Sequence, residues 1–153
     1  MTAIHFSETV DIDVDAEHAW RIVADYSHDH RWRTGVISMT SSPTGLVDTG
    51  TTTLELMKLA GRSYRNAGIV TSVEPGVRFT WRTVEGASAS GSRSVTALAD
   101  DRCRVSLELT VTPKGIDRLF RPITARMLAR NLRRDSDALR SLVESAATST
   151  STI

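Results

Sequence analysis

The stretch IHFSETVDIDVDAEHAWRIVA, residues 4–24, changes period in its middle, and the fold turns on that change. Ile4, Phe6, Val10 and Ile12 alternate with His5, Ser7, Thr9 and Asp11, the pattern of a half-buried strand. From Ala16 onward the apolar positions Ala16, Ala19, Trp20, Val23 and Ala24 recur at helical spacing, behind Asp13 or Asp15, either of which can cap a first turn. A strand therefore runs into a short amphipathic helix. A second short helical piece is predicted from Asp25 to about Trp32. Glu8 breaks the strand pattern, because an ionised carboxylate on an apolar face is costly unless paired or hydrated. Three placements satisfy it: the wet end of a cavity, a pairing with an inward arginine, or a bulge that turns it outward.

From Val36 the chain reads as six further strands, at 36–41, 51–59, 62–73, 77–84, 90–98 and 102–112. The connections SPTGLVDTG, LAG, EPG, EGASASG and ADD separate them and are short enough to make neighbours antiparallel. After Pro113 the period becomes helical again. Ile116, Phe120, Ile123, Met127, Leu132, Leu139 and Val143 mark a stripe, with 116–120 as a short helical approach and Pro122 in the first turn of the main helix. The expected architecture is α+β: a curved seven-stranded antiparallel sheet around a long C-terminal helix, with two short helices between strands 1 and 2. It forms a single domain over 1–146, and the polar segment 147–153 is expected to be a disordered tail.

Composition narrows the function classes. Nineteen Lys+Arg balance eighteen Asp+Glu, so the chain as a whole makes no electrostatic claim on nucleic acid or membrane. Residues 114–134 are the local exception, with seven basic side chains against Asp117 alone. Phe120 is the one aromatic of that stretch and no run of aromatics interleaves its basic residues for base stacking, so nucleic acid is not expected as a partner. The N-terminus lacks a basic start and an apolar core, and no apolar run reaches the ~18 residues of a membrane span. A cytoplasmic protein without stable membrane insertion is expected, and a homodimer is left open. Cys103, the single cysteine, alternates into the apolar face of the last strand as a small hydrophobe.

The order β-α-α-β6-α, with SETVDIDVDAEHAWRIVADYSHDHRW at 7–32 and GIVTSVEPGVRFTWRT at 68–83, resembles the START-like or helix-grip superfamily over roughly residues 4–146. That superfamily includes pollen-allergen-type proteins, lipid-transfer domains, coenzyme Q-binding proteins and the polyketide cyclase/dehydrase group. The resemblance implies a cavity for apolar molecules such as lipids, quinones or polyketides. In aromatase/cyclase members it implies cavity polar groups, arginine and tyrosine among them, that orient a poly-β-ketone for closure and dehydration. Arg62, Arg65 and Arg82 are the candidate arginines, although strand parity places Arg82 outside.

Candidate ligand-binding residues follow. Trp32 falls at the cavity rim that the resemblance implies, whereas Trp20, on the helical stripe, is a wedge between helix and sheet. Phe79 and Trp81 share one strand face, and Tyr64 joins them if its strand turns it inward, where its hydroxyl needs a partner. Met39, Leu54 and Leu56 extend the wall, and Phe120, Ile123 and Met127 supply the helix side. If the protein is an enzyme, Glu8 and Tyr64 are the catalytic candidates for proton transfer. His28 and His30 have no further ligand at a defined spacing, so no metal site is expected. No phosphate-cradling glycine motif occurs, and no cofactor is expected. The expected function is binding of a hydrophobic small molecule in an internal cavity. A polyketide cyclase/dehydratase-like enzyme and a partner-binding module using the basic helix are the alternatives.

Overall fold

The computed structural model describes residues 3–114 and 121–150. Strand β1 (Ile4–Ile12) leads into helix α1 (Ala16–Val23) and a 3-10 helix (Tyr26–Arg31). Strands β2 (Val36–Ser42), β3 (Thr52–Leu59), β4 (Arg62–Glu74), β5 (Arg78–Glu85), β6 (Ser88–Ala99) and β7 (Arg102–Thr112) follow, and helix α2 (Arg121–Thr150) ends the order. The seven strands form one antiparallel sheet in the order β1-β7-β6-β5-β4-β3-β2. Register shifts in the β2–β3, β4–β5 and β6–β7 pairs insert residues that bend the strands, and α2 lies on the inside of the curve. This is the helix-grip fold.

Local chemistry sets the boundaries. The Asp15 side chain, not that of Asp13, caps α1 by accepting from the His18 N–H. Asp25 caps the 3-10 helix by accepting from the backbone N–H and the hydroxyl of Ser27. Pro122 sits in the first turn of α2, where its missing N–H costs nothing. The predicted approach helix at 116–120 lies outside the described residues. The expectation of a disordered tail from residue 147 is corrected: α2 continues to Thr150, and Ala147 packs against the core. Ala146 and Ala147 border a shallow groove with Ile22 of α1, so the last turns have a surface to bury against.

The core occupies one half of the sheet's inner face. Ile12, Val10, Val105, Cys103 and Val95 meet Leu139 and Val143 of α2 there, closed off by Ala19, Trp20 and Val23 of α1. Phe79 is fully buried at the centre, with Trp20 and Tyr26 edge-on to it at ring-centroid distances of 6.2 and 5.8 Å. Truncation as Phe79→Ala is expected to cost about 3–5 kcal/mol of stability in urea unfolding. A loss under ~1 kcal/mol would show that the ring is not the keystone of this core.

Candidate functional site

Rows of residues paired across β1, β7, β6 and β5 show where the interior stops being closed. In the row Glu8, Leu107, Arg93, Phe79, all but Glu8 are buried, as are Val10, Val105, Val95, Ile12 and Cys103 in the next rows toward α1. In the row Phe6, Leu109, Gly91, Trp81, every residue is only partly covered, and so are Ile4, Val111, Ala89 and Thr83 beyond it. Helix α2 makes the same step. Asp135, Ser136, Leu139 and Val143 are buried, while Thr124, Met127, Leu128, Asn131 and Leu132 are half-buried. The apolar wall thus continues past the core into a half in which the protein only partly covers its own side chains.

A buried ionic network marks the boundary. Arg93 of β6 donates two parallel hydrogen bonds to Asp29 of the 3-10 helix, at 2.9 and 2.6 Å, and a third to the Val23 carbonyl at 3.0 Å. Its guanidinium carbon lies 4.9 Å from the ring centres of both Tyr26 and Trp32 and 5.6 Å from that of Phe79. Asp29 also accepts from Arg33 at 3.1 Å, and Arg33 reaches Glu55 of β3 at 2.5 Å. Glu55 accepts from Asn66 of β4 at 3.0 Å, and the Asn66 carbonyl oxygen accepts from the Ala87 N–H in the β5–β6 turn at 2.9 Å. Two arginines and two carboxylates balance in charge, and each has a partner, as burial requires. The Asp29 and Glu55 charges hold the Arg33 guanidinium firmly protonated against the opposing effect of its own burial. Burial pushes the Tyr26 hydroxyl up to about 12, so it stays a neutral phenol.

A second latch ties α2 to this frame. Asp135 accepts from the backbone N–H and the hydroxyl of Thr34 at 2.7 and 2.6 Å. Burial raises the Asp135 carboxyl above its usual value, against the lowering pull of the Thr34 bonds and of Arg33 and Arg93.

The candidate residues separate on this frame. Tyr64, Trp81, Met39 and Met127 are half-buried, and Trp81 has its indole edge 2.7 Å from where a Cβ on Gly91 would stand. That glycine lets the ring lean across β6. Phe79 is corrected from wall to core, because its side chain is fully buried. Leu54 and Leu56 are also corrected: alternation with the buried Glu55 turns them to the outer face, where they are 36% and 40% exposed. Trp32 is buried against Arg93, and its indole N–H has no hydrogen-bond partner among the described residues. Ile123 is 68% exposed, and Phe120 lies outside the described residues.

Of the placements for Glu8, the bulge is absent and the inward arginine is not met, because the arginine beside it faces solvent. β1 pairs with β7 without a bulge, and Glu8 stands 3.7 Å from Arg133 of α2, itself largely exposed. Glu8 and Tyr64 lie on strands four positions apart, roughly 19 Å across the sheet. Arg62, Arg65 and Arg82 are exposed, and the inward arginine is Arg93, whose parity with Val95 and register with Leu107 mark it as interior. The histidines also disperse: His18 bonds Asp15, His28 lies 4.0 Å from Asp25, and His30 is exposed. The stretch around them is organised by Asp29. Among the described residues no group of three or more metal-ligating side chains gathers. Burial raises the Cys103 thiol to about 11, which keeps it protonated and unreactive.

Asp29→Asn leaves the buried Arg93 guanidinium without its counter-charge and Arg33 with Glu55 alone, and a stability loss of about 3–5 kcal/mol at neutral pH is expected in urea unfolding. For Asp135 the folded chain holds the carboxyl proton more tightly than the unfolded chain. The associated stabilisation is full below the unfolded pKa and is lost as pH rises through the raised folded value. Asp135→Asn keeps an acceptor for Thr34 and does not titrate. Its stability relative to wild type should therefore grow as pH is raised from about 4 toward neutrality; a difference that stays flat with pH would contradict the burial assigned to this carboxyl.

Comparison with known proteins agrees with this architecture. Residues 3–144 match the family model described as polyketide cyclase / dehydrase and lipid transport. No curated protein matches the sequence significantly. Among solved structures, the Zhui aromatase/cyclase from Streptomyces sp. R1128 is similar, with a TM-score of 0.78, 16% identity and 94% of each chain covered. A START superfamily protein from Mycobacterium smegmatis gives a TM-score of 0.74 at 17% identity, covering 93% of this chain and 98% of its own. A norcoclaurine synthase from Thalictrum flavum gives 0.66 at 13% identity, over 95% and 97%. At these identities the structures speak for the shared fold, and the family model, spanning nearly the whole sequence, makes this chain a member of the polyketide cyclase/dehydrase and lipid transport family.

Proposed function

We propose that the protein binds a hydrophobic small molecule, of lipid, quinone or polyketide-like character, between the half-covered part of the sheet and the N-terminal half of α2. The step in burial at Arg93 carries this reading: on one side the apolar wall is sealed, and on the other Phe6, Leu109, Trp81, Tyr64, Met39 and Met127 stay partly uncovered. Covering such surface is favourable at about 25 cal/mol per Å², so an apolar guest gains where the chain has left its own contacts unmade. The ionic network forms the rigid polar end of the space. Because its charges are already paired with one another, it favours a neutral guest over a carboxylate or an amine.

The likeness to an aromatase/cyclase offers a second reading, a cyclase/dehydratase-like enzyme. That reading would use Glu8 or Tyr64 for proton transfer, each acting alone because the two stand four strand positions apart, and binding without chemistry is the preferred function.

The test is native mass spectrometry of the gently purified protein, with extraction of any bound species and titration against quinones, fatty acids, sterols and aromatic polyketides. A one-to-one neutral apolar ligand is expected, with affinity falling at least about tenfold in Trp81→Ala or Tyr64→Ala. Failure of every member of the panel to bind, or binding unchanged in both variants, would overturn the assignment.

A further inference from the structure

The outer side of α2 has a chemistry that neither its packing nor an interior guest uses. Between Pro122 and Arg134 the helix carries Arg126, Arg130, Arg133 and Arg134 and no acidic residue. All four arginines are exposed. Arg133 is engaged by Glu8 at 3.7 Å. Arg126, Arg130 and Arg134 follow one another at four-residue spacing, which sets them in a row about 12 Å long on one side of the helix. At the start of the same side stands Ile123, at 68% the most exposed large apolar side chain among the described residues. The opposite side of these turns bears Leu128 and Leu132, which are half-buried toward the sheet.

We infer that this face docks the protein on an anionic lipid surface. Three guanidinium groups in a row, each able to take a phosphate oxygen pair, match a plane of phosphodiester headgroups. The charge is local, since the chain as a whole is nearly neutral, so attraction would orient the molecule with this side of α2 down. Ile123 decides between classes of anionic partner. A bare branched apolar side chain next to the arginines has a place to go at the headgroup–acyl boundary, whereas a nucleic acid backbone offers it nothing and, among the described residues, the face has no ring for base stacking. The contact is peripheral and reversible, because no helix among the described residues is long and apolar enough to cross a membrane. It requires no interior ligand and stands independently of the function proposed above.

The experiment is co-sedimentation of the full chain with phosphatidylcholine vesicles, with and without phosphatidylglycerol, at low and high salt. Binding is expected only with phosphatidylglycerol and is expected to be lost at high salt. The triple variant Arg126→Gln, Arg130→Gln, Arg134→Gln should bind about a hundredfold more weakly. Ile123→Ser should weaken binding while leaving its salt dependence intact. All four side chains are exposed, so circular dichroism and urea unfolding of these variants should match wild type, which separates a docking defect from misfolding. Equal binding to both vesicle types, no binding of the wild type to phosphatidylglycerol vesicles, or full binding by the folded triple variant would each overturn the inference. So would tight binding to single-stranded RNA that the triple variant loses while phosphatidylglycerol binding is untouched.

Discussion

The Arg93–Asp29 pair is the constraint on which the rest of the interior depends. A guanidinium on the inner face of a sheet cannot retreat to water, and its desolvation is tolerable only if a carboxylate is delivered to it in good geometry. The 3-10 helix makes that delivery. It carries Asp29 inward between two histidines that point elsewhere, and Tyr26 and Trp32 at its ends lie against the guanidinium. Replacing such a pair by apolar residues is often neutral or stabilising in other proteins, so its retention here is not explained by stability alone. What it supplies is position: through Arg33, Glu55 and Asn66 the same charges reach β3, β4 and the β5–β6 turn. The open end of a curved sheet is thereby held at a fixed width.

That fixed width gives the half-covered wall its meaning. Met39 and Trp81 pack against the edge of the core yet stay, with Tyr64, only partly covered. The network ties the 3-10 helix to β3, β4, β6 and the β5–β6 turn beside them. Asp135 adds a tie from the helix to Thr34, beside Arg33, so that α2, the 3-10 helix and the sheet hold one geometry. Where Gly91 omits a side chain, the Trp81 indole leans across the neighbouring strand and lays an aromatic surface along the opening. A rigid frame with an uncovered apolar wall suits a binder, since the cost of ordering the site is met on folding and not by the ligand.

Much of the architecture was legible because its determinants are local. The switch from alternation to helical spacing after Ile12, the turn residues between strands and the stripe after Pro113 place every described element within a few residues. The candidate site was less legible. Periodicity alone marked Leu54 and Leu56 as wall, but a charged partner on another element pulls Glu55 inward and turns both leucines out. Arg93 was hidden by its type, since an arginine on a strand reads as solvent-facing until its parity with Val95 is noticed. Tyr64 was left ambiguous because register shifts in β4 interrupt the alternation. Asp29 is paired by residues distant in sequence, which no spacing rule reports. The last turns of α2 fold because α1 offers them a surface, information absent from their own composition.

The central claim is that Arg93 is a fixed, buried strut. Proton–nitrogen NMR of the arginine side chains tests it directly. The account predicts one guanidinium with separate, slowly exchanging Nη proton signals, shifted by the Asp29 carboxylate and the adjacent rings, and absent in Arg93→Lys. A single averaged Arg93 signal exchanging with water as fast as those of the exposed arginines of α2 would contradict it, and the frame that holds the apolar wall open would go with it.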